Sequence, residues 1–110
     1  MGIGHLIGDG YRDTLDVLVV AFCRDYFSRR EIISSGECSR RTRMEYEYVN
    51  RRIEEAAREV VGEDYEIYIK EIGTGRGYAK SEALYTSETS YKKFKRAVKL
   101  NIARKLHLLD

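Results

Sequence analysis

No proline interrupts the 110 residues of this chain. The strongest breaker of α-helices is therefore absent from end to end, and the recurrence of apolar residues decides what forms. Leu15, Leu18, Val19, Phe22, Cys23, Tyr26 and Phe27 recur at steps of three and four, and Ile33 extends that face past Arg29 and Arg30. Asp13 or Thr14 can cap the start, and Gly36 suits a left-handed stop. The spacing predicts a helix over residues 14–35. Tyr46, Val49, Ile53, Ala56, Ala57 and Val60 form a second stripe, closed by Gly62. Its cap is either Ser39 or the T-x-x-E pair Thr42 and Glu45, which has capping-box spacing. Two such helices joined by a short turn make an antiparallel hairpin over residues 14–61.

The segment DYEIYIKEIG, residues 64–73, reads two ways. Tyr65, Ile67 and Ile69 alternate as in a strand, whereas Tyr65, Tyr68, Ile69 and Ile72 fit a helix. No second strand is available for pairing, so the expectation is a short helix with Asp64 as cap and Gly73 as stop. The following GTGRG lacks the Gly-Lys-Ser/Thr ending of a phosphate loop and no clear strand precedes it, so it reads as a flexible turn. A last helix is expected from about Glu88 to Leu106. Tyr91, Phe94, Ala97, Val98, Ile102, Ala103 and Leu106 share its inner face, and Leu108 or Leu109 folds back on the core.

These elements amount to an all-α fold in one domain, residues 1–110. It is a helical bundle in which a long hairpin packs against a short helix and a basic C-terminal helix. The glycine-rich opening, residues 1–12, reads as a flexible arm. An apolar share of 43% with only 35% charged residues is too rich in core-formers for a disordered chain. Cys23 and Cys38 have neither CxxC nor metal-ligand spacing, and Cys23 lies in an apolar pattern, so a buried free thiol is expected. The apolar run LDVLVVAFC, Leu15–Cys23, is short, is interrupted by Asp16 and follows no basic segment. Neither a signal peptide nor a membrane span is expected, and the cytoplasm is the expected location.

Net charge is only +2, but its distribution is uneven. From Thr89 onward, seven cations stand against Asp110 alone, while residues 54–71 hold seven carboxylates against Arg58 and Lys70. Such asymmetry orients a protein on a polyanion. In LYTSETSYKKFKRAV, Ser87 is placed to cap a helix, and Thr89 and Ser90 follow as small polar residues. Lys92, Lys93, Arg96 and Lys99 lie off the apolar face, with Lys95 beside it. A helix of this kind can enter a major groove, its early side chains reaching base edges and its cations holding phosphates. A plain solvated face is the competing reading. The helix dipole does not favour lysines in the first turns, and no acidic residue lies between Thr89 and Leu109 to balance them. Arg40, Arg41, Arg43, Arg51 and Arg52 form a second cluster. It reads as a solvated face paired with Glu45, Glu47, Glu54 and Glu55, with auxiliary phosphate contact as the sharper alternative.

The segment YTSETSYKKFKRAVKLNIARKLHLLD resembles the end of bacteriophage-type transcriptional regulators of the RinA/ArpU kind, which carry a helix-turn-helix like the fourth region of sigma factors. The shared pattern is the cap Ser87, the pair Thr89 and Ser90, Tyr91, the basic run Lys92 to Arg96, Ala97, Ile102-Ala103, and Leu106 to Leu108. It covers the last quarter of the chain. The resemblance implies that residues 64–110 form a helix-turn-helix-like part, that Thr89, Ser90, Lys92, Lys93 and Arg96 face DNA, and that Tyr91, Phe94 and Val98 are core. The pattern departs upstream of the cap: the usual apolar-Ala pair is replaced by Lys80 and Ser81, and Tyr78-Ala79 stands two residues too early.

The expected function is therefore that of a small phage-like DNA-binding transcriptional regulator, with duplex DNA as partner and Thr89, Ser90, Lys92, Lys93, Arg96 and Lys99 as the DNA-binding residues. A homodimer is expected, because a domain this small usually needs two copies for site specificity. The alternative is a protein-interaction or assembly module. His5 and His107 lie near opposite ends of the chain, and no triad or His/Cys cluster is formed by spacing, so no catalytic residue, metal or cofactor is expected.

Overall fold

A computed structural model describes residues 10–83 and 86–109 of the chain. Among them are five α-helices and no strand: α1 (Asp13–Arg24), α2 (Tyr26–Ser35), α3 (Arg40–Val61), α4 (Tyr65–Thr74) and α5 (Glu88–Lys105). Two 3-10 turns, Gly62–Asp64 and Tyr78–Lys80, precede α4 and α5. The fold is an all-α bundle, as the periodicity predicts. No helix of the described residues is long and apolar enough to cross a membrane.

The first expected helix is present but divided at Asp25 (φ −91, ψ 1). Neither proline nor glycine causes the break; polar side chains hold it. Arg29 donates to the Phe22 carbonyl at 2.6 Å and to Asn50 Oδ1 at 2.7 Å, and Asn50 Nδ2 donates to the Tyr26 carbonyl at 3.1 Å. Backbone carbonyls beside a broken helical ladder need such partners. Both side chains are buried for this purpose, and burial pulls the Arg29 guanidinium below its ordinary pKa. The bend sends the two halves to different neighbours: α2 pairs with α3 as the hairpin, while α1 packs chiefly on α4.

Ser39 is the residue that caps α3, its Oγ accepting from the Thr42 amide at 3.1 Å. The helical reading of residues 64–73 holds, but the stop moves. α4 runs through Gly73 and ends at Gly75, which adopts the left-handed conformation (φ 72). Gly73 serves packing instead. A Cβ there would lie 2.7 Å from the Arg24 backbone, so the missing side chain is what lets α4 lie directly on α1. At the other end of the chain no glycine closes α5. His107 takes the positive φ (60) and lets the Leu108 amide donate to the Ala103 carbonyl at 2.8 Å. Leu108 and Leu109 then pack against the core.

That core draws on every helix. Val19, Cys23, Tyr26, Ile53, Ala56, Ile69, Ile72, Val98 and Ile102 are fully or almost fully buried, and each large aliphatic among them contributes about 1.5–3 kcal/mol. Cys23 and Cys38 are both free, Cys23 buried as expected. Two residues expected inside are not. Leu18 is 45% exposed and Phe94 is 37% exposed. Each lies at the edge of its apolar stripe, where the bundle offers neighbours on one side only.

Candidate nucleic-acid interface

The last helix begins where the cap residue predicts. Ser87 is extended (φ −72, ψ 157), and its Oγ accepts from the Ser90 amide at 3.1 Å. Tyr91, Val98, Ile102 and Ala103 turn inward, so the remaining positions of α5 are apportioned between solvent and α1.

The six residues expected on DNA fall into two groups. Thr89 and Lys93 are exposed on the outward side, and Arg96 is exposed beside them. Ser90 is half-buried at the cap. Lys92 pairs with Glu88 at 3.0 Å within the first turn. Lys99 turns toward α1, where its Nζ lies 3.0 Å from Asp16 Oδ1 with only 22% of its side chain exposed. Arg96 also leans that way, its guanidinium 5.6 Å from the centroid of the Tyr11 ring. Arg104 is exposed and was not among the expected residues. Its spacing of eleven from Lys93 makes three helical turns and could have signalled it. Among the described residues neither Lys93 nor Arg104 lies within ion-pairing distance of a carboxylate.

The acidic stretch is largely consumed inside the fold. Glu59 takes Lys105 at 2.6 Å and Asn101 at 2.9 Å, Glu66 takes Arg30 at 2.6 Å, and Glu54 accepts from the Tyr26 hydroxyl. The second basic cluster is partly paired as expected, with Arg41–Glu45 and Arg52–Glu55 both at 3.2 Å. Arg40, Arg43 and Arg51 are exposed.

A carboxylate that the apolar pattern does not mark anchors α5. Glu71 is completely buried. Its Oε1 accepts from the Ser81 hydroxyl at 2.6 Å and from the Tyr91 hydroxyl at 2.7 Å, and its Oε2 accepts from the Glu82 amide at 2.7 Å. Burial works against the charged form, but these three hydrogen bonds and the nearby Arg76 outweigh it and hold the carboxyl below its ordinary pKa. Burial and the same carboxylate push the Tyr91 hydroxyl up to about 12. Next to it, Lys95 donates to the Arg76 carbonyl at 2.7 Å.

This hub gives Ser81 a structural role in the loop before α5. Glu71 draws Ser81 and Glu82 into a structured loop, so α4 and α5 are joined by residues 75–87. A standard helix-turn-helix joins its helices through three or four residues. Among the described residues, the segment just before Ser87 contains a 3-10 turn and no α-helix.

Among the described residues, no group of three or more His, Cys, Asp or Glu side chains could hold a metal ion. What the arrangement can do chemically is present cations on a rigidly anchored helix. Comparison of the chain with protein family models, with curated proteins and with solved structures returned no match.

Proposed function

We propose that the chain binds duplex DNA through the outward face of α5, as a small transcriptional regulator of a phage-like element. The observation that carries this reading is the row Thr89, Lys93, Arg96 and Arg104, exposed on a helix whose only carboxylate is Glu88 in the first turn. Eighteen residues make a helix of about 27 Å, and a major groove admits one helix. Thr89 stands at the end that would reach base edges, and the three cations lie where phosphates would be held. The Ser87 cap and the Glu71–Tyr91 bond set the helix before any partner arrives, so little ordering cost falls on binding.

Anisotropy of a labelled duplex, followed between about 50 and 200 mM salt, tests it. Each phosphate contact adds about 0.9 to the log–log slope. The triple variant Lys93→Ala, Arg96→Ala, Arg104→Ala should therefore flatten the slope by about two to three while its circular dichroism stays native. No binding at the lowest salt, or an unchanged slope in the variant, defeats the reading.

A second reading is an interaction or assembly module. It is favoured by Val17, 68% exposed on α1, beside the half-exposed Leu18. If that face joins two copies, Leu18→Glu should shift the sedimentation coefficient to that of a monomer. Such a dimer is compatible with DNA binding, which usually draws on paired half-sites.

A further inference from the structure

The outward side of α3 carries apolar side chains that the bundle leaves uncovered. The buried residues of this helix are Asn50, Ile53, Ala56 and Ala57, so none precedes Asn50. At about 100° per residue, Arg40, Met44, Glu47, Tyr48, Arg51 and Glu55 fall within a stripe about 100° wide, on the side turned away from those four. The stripe runs for about 24 Å. Met44 is 60% exposed on it and Tyr48 is 44% exposed, so neither serves this chain's own core. Arg52 rests on the Tyr48 ring, 5.3 Å from its centroid, and braces it from one side. A face that centres on Met and Tyr and is bordered by Arg has the composition of a protein interface.

The order of charges along the stripe identifies the partner. Arg40 and Arg51 are exposed and Glu47 is half-buried. Among the described residues, none of these three lies within ion-pairing distance of an opposite charge. Glu55 holds Arg52 through Oε1 at 3.2 Å, which leaves Oε2 to accept further. If two copies of α3 met in parallel, each of these charges would face its own kind. In the antiparallel sense, a two-fold contact lets position i meet j and j meet i. With the axis beside Glu47 and Tyr48, Arg40 stands opposite Glu55, and Met44 lies opposite Arg51. Glu47 then falls within a turn of the partner copy's basic residue at position 51. Every charge of the stripe thus meets its opposite twice, around an apolar centre made by Met44 and Tyr48 of both copies. Flanking charges set orientation and partner choice in paired helices in this way.

We propose that this stripe binds a second copy of the chain, α3 packing antiparallel on α3 across a two-fold axis. The surface differs from the Val17 and Leu18 face of α1. The proposal does not rest on DNA binding.

Sedimentation velocity of the full chain without DNA tests it, at concentrations up to about 1 mM, which reaches weak association. A reversible monomer–dimer equilibrium is expected. Arg40→Glu and Glu55→Arg, neither at a buried position, should each weaken it at least about tenfold, because the two-fold axis brings like charges together twice. Their circular dichroism should stay native. Mixed in equal amounts, the two variants should associate as tightly as the native chain, since every contact is again between opposite charges. Leu18→Glu should leave the equilibrium unchanged. A native chain that stays monomeric at the highest concentration overturns the proposal, as does a mixture no tighter than either variant alone. A dimer dissolved by Leu18→Glu lies on α1 and overturns it too. If the native chain is monomeric and Arg40→Glu weakens duplex binding, the stripe holds phosphates instead. A dimer that ignores duplex DNA keeps this inference and loses the function proposed above.

Discussion

Replacing Glu71 by Gln changes a charge while keeping the shape, and the hydrogen bonds around it set the size of the effect. In the native chain one oxygen accepts from Ser81 and Tyr91 and the other from the Glu82 amide. Glutamine can keep its oxygen on the two hydroxyls, but its NH2 then meets the Glu82 amide, donor against donor. Turned the other way, the NH2 meets Ser81 Oγ, which already accepts from the Ala83 amide at 2.8 Å. Either orientation leaves a buried donor unmatched, at about 1–3 kcal/mol. The surviving bonds lose their charge assistance as well, which roughly halves them. The expected cost is about 2–4 kcal/mol, against a total of about 5–15 kcal/mol for a domain of this kind. Urea unfolding followed by far-UV circular dichroism at pH 7 measures it. The pH dependence supplies a second reading. Folded Glu71 is more acidic than its ordinary value of 4.5, so the unfolded chain takes up the proton first as the pH falls. The stabilisation is complete above that value and disappears as the pH drops through the lower folded value. Glu71→Gln should therefore lose stability at pH 7 and show a shallower acid slope. A variant within about 0.5 kcal/mol of the native chain, a surface-like effect, with the same acid slope, would refute the hub.

Two further outcomes follow from single contacts. Gly73→Ala improves helix propensity by about 1 kcal/mol, yet its Cβ would stand 2.7 Å from the Arg24 backbone. A net loss of about 2 kcal/mol in urea unfolding is expected from such overpacking, and a gain would show that α1 and α4 do not touch there. Cys23 is buried with its thiol pushed up to about 12, whereas Cys38 is partly exposed. Native protein at pH 8 should therefore take up one equivalent of a thiol reagent, at Cys38; equal labelling of both would contradict the burial of Cys23.

Much of the architecture was legible because helix formation is local. Residues three and four apart meet on one face whatever lies elsewhere, so the stripes of α1, α3 and α5 and the caps Ser39 and Ser87 are read directly. The same holds for residues 64–73, where the lack of a pairing strand favoured helix. The candidate interface was only half legible. Lys93 and Arg96 are exposed as the pattern predicts; Arg104, outside the predicted set, is exposed as well, and Lys99 bonds Asp16. That bond joins α5 to α1, and sequence spacing alone carries no record of it.

The apolar periodicity by itself determined that this chain is a helical bundle and which face of α5 stays free of the core. Tertiary structure alone decided the rest. Arg29 meets Asn50, and Glu71 meets Ser81 and Tyr91, across ten to twenty-one residues of chain. A buried polar group is stable only where its partners arrive, and that is decided by packing. The same packing bends the first helix at Asp25, turns Gly73 from a stop into a contact, and divides the cations of α5 between an open face and the contact with α1.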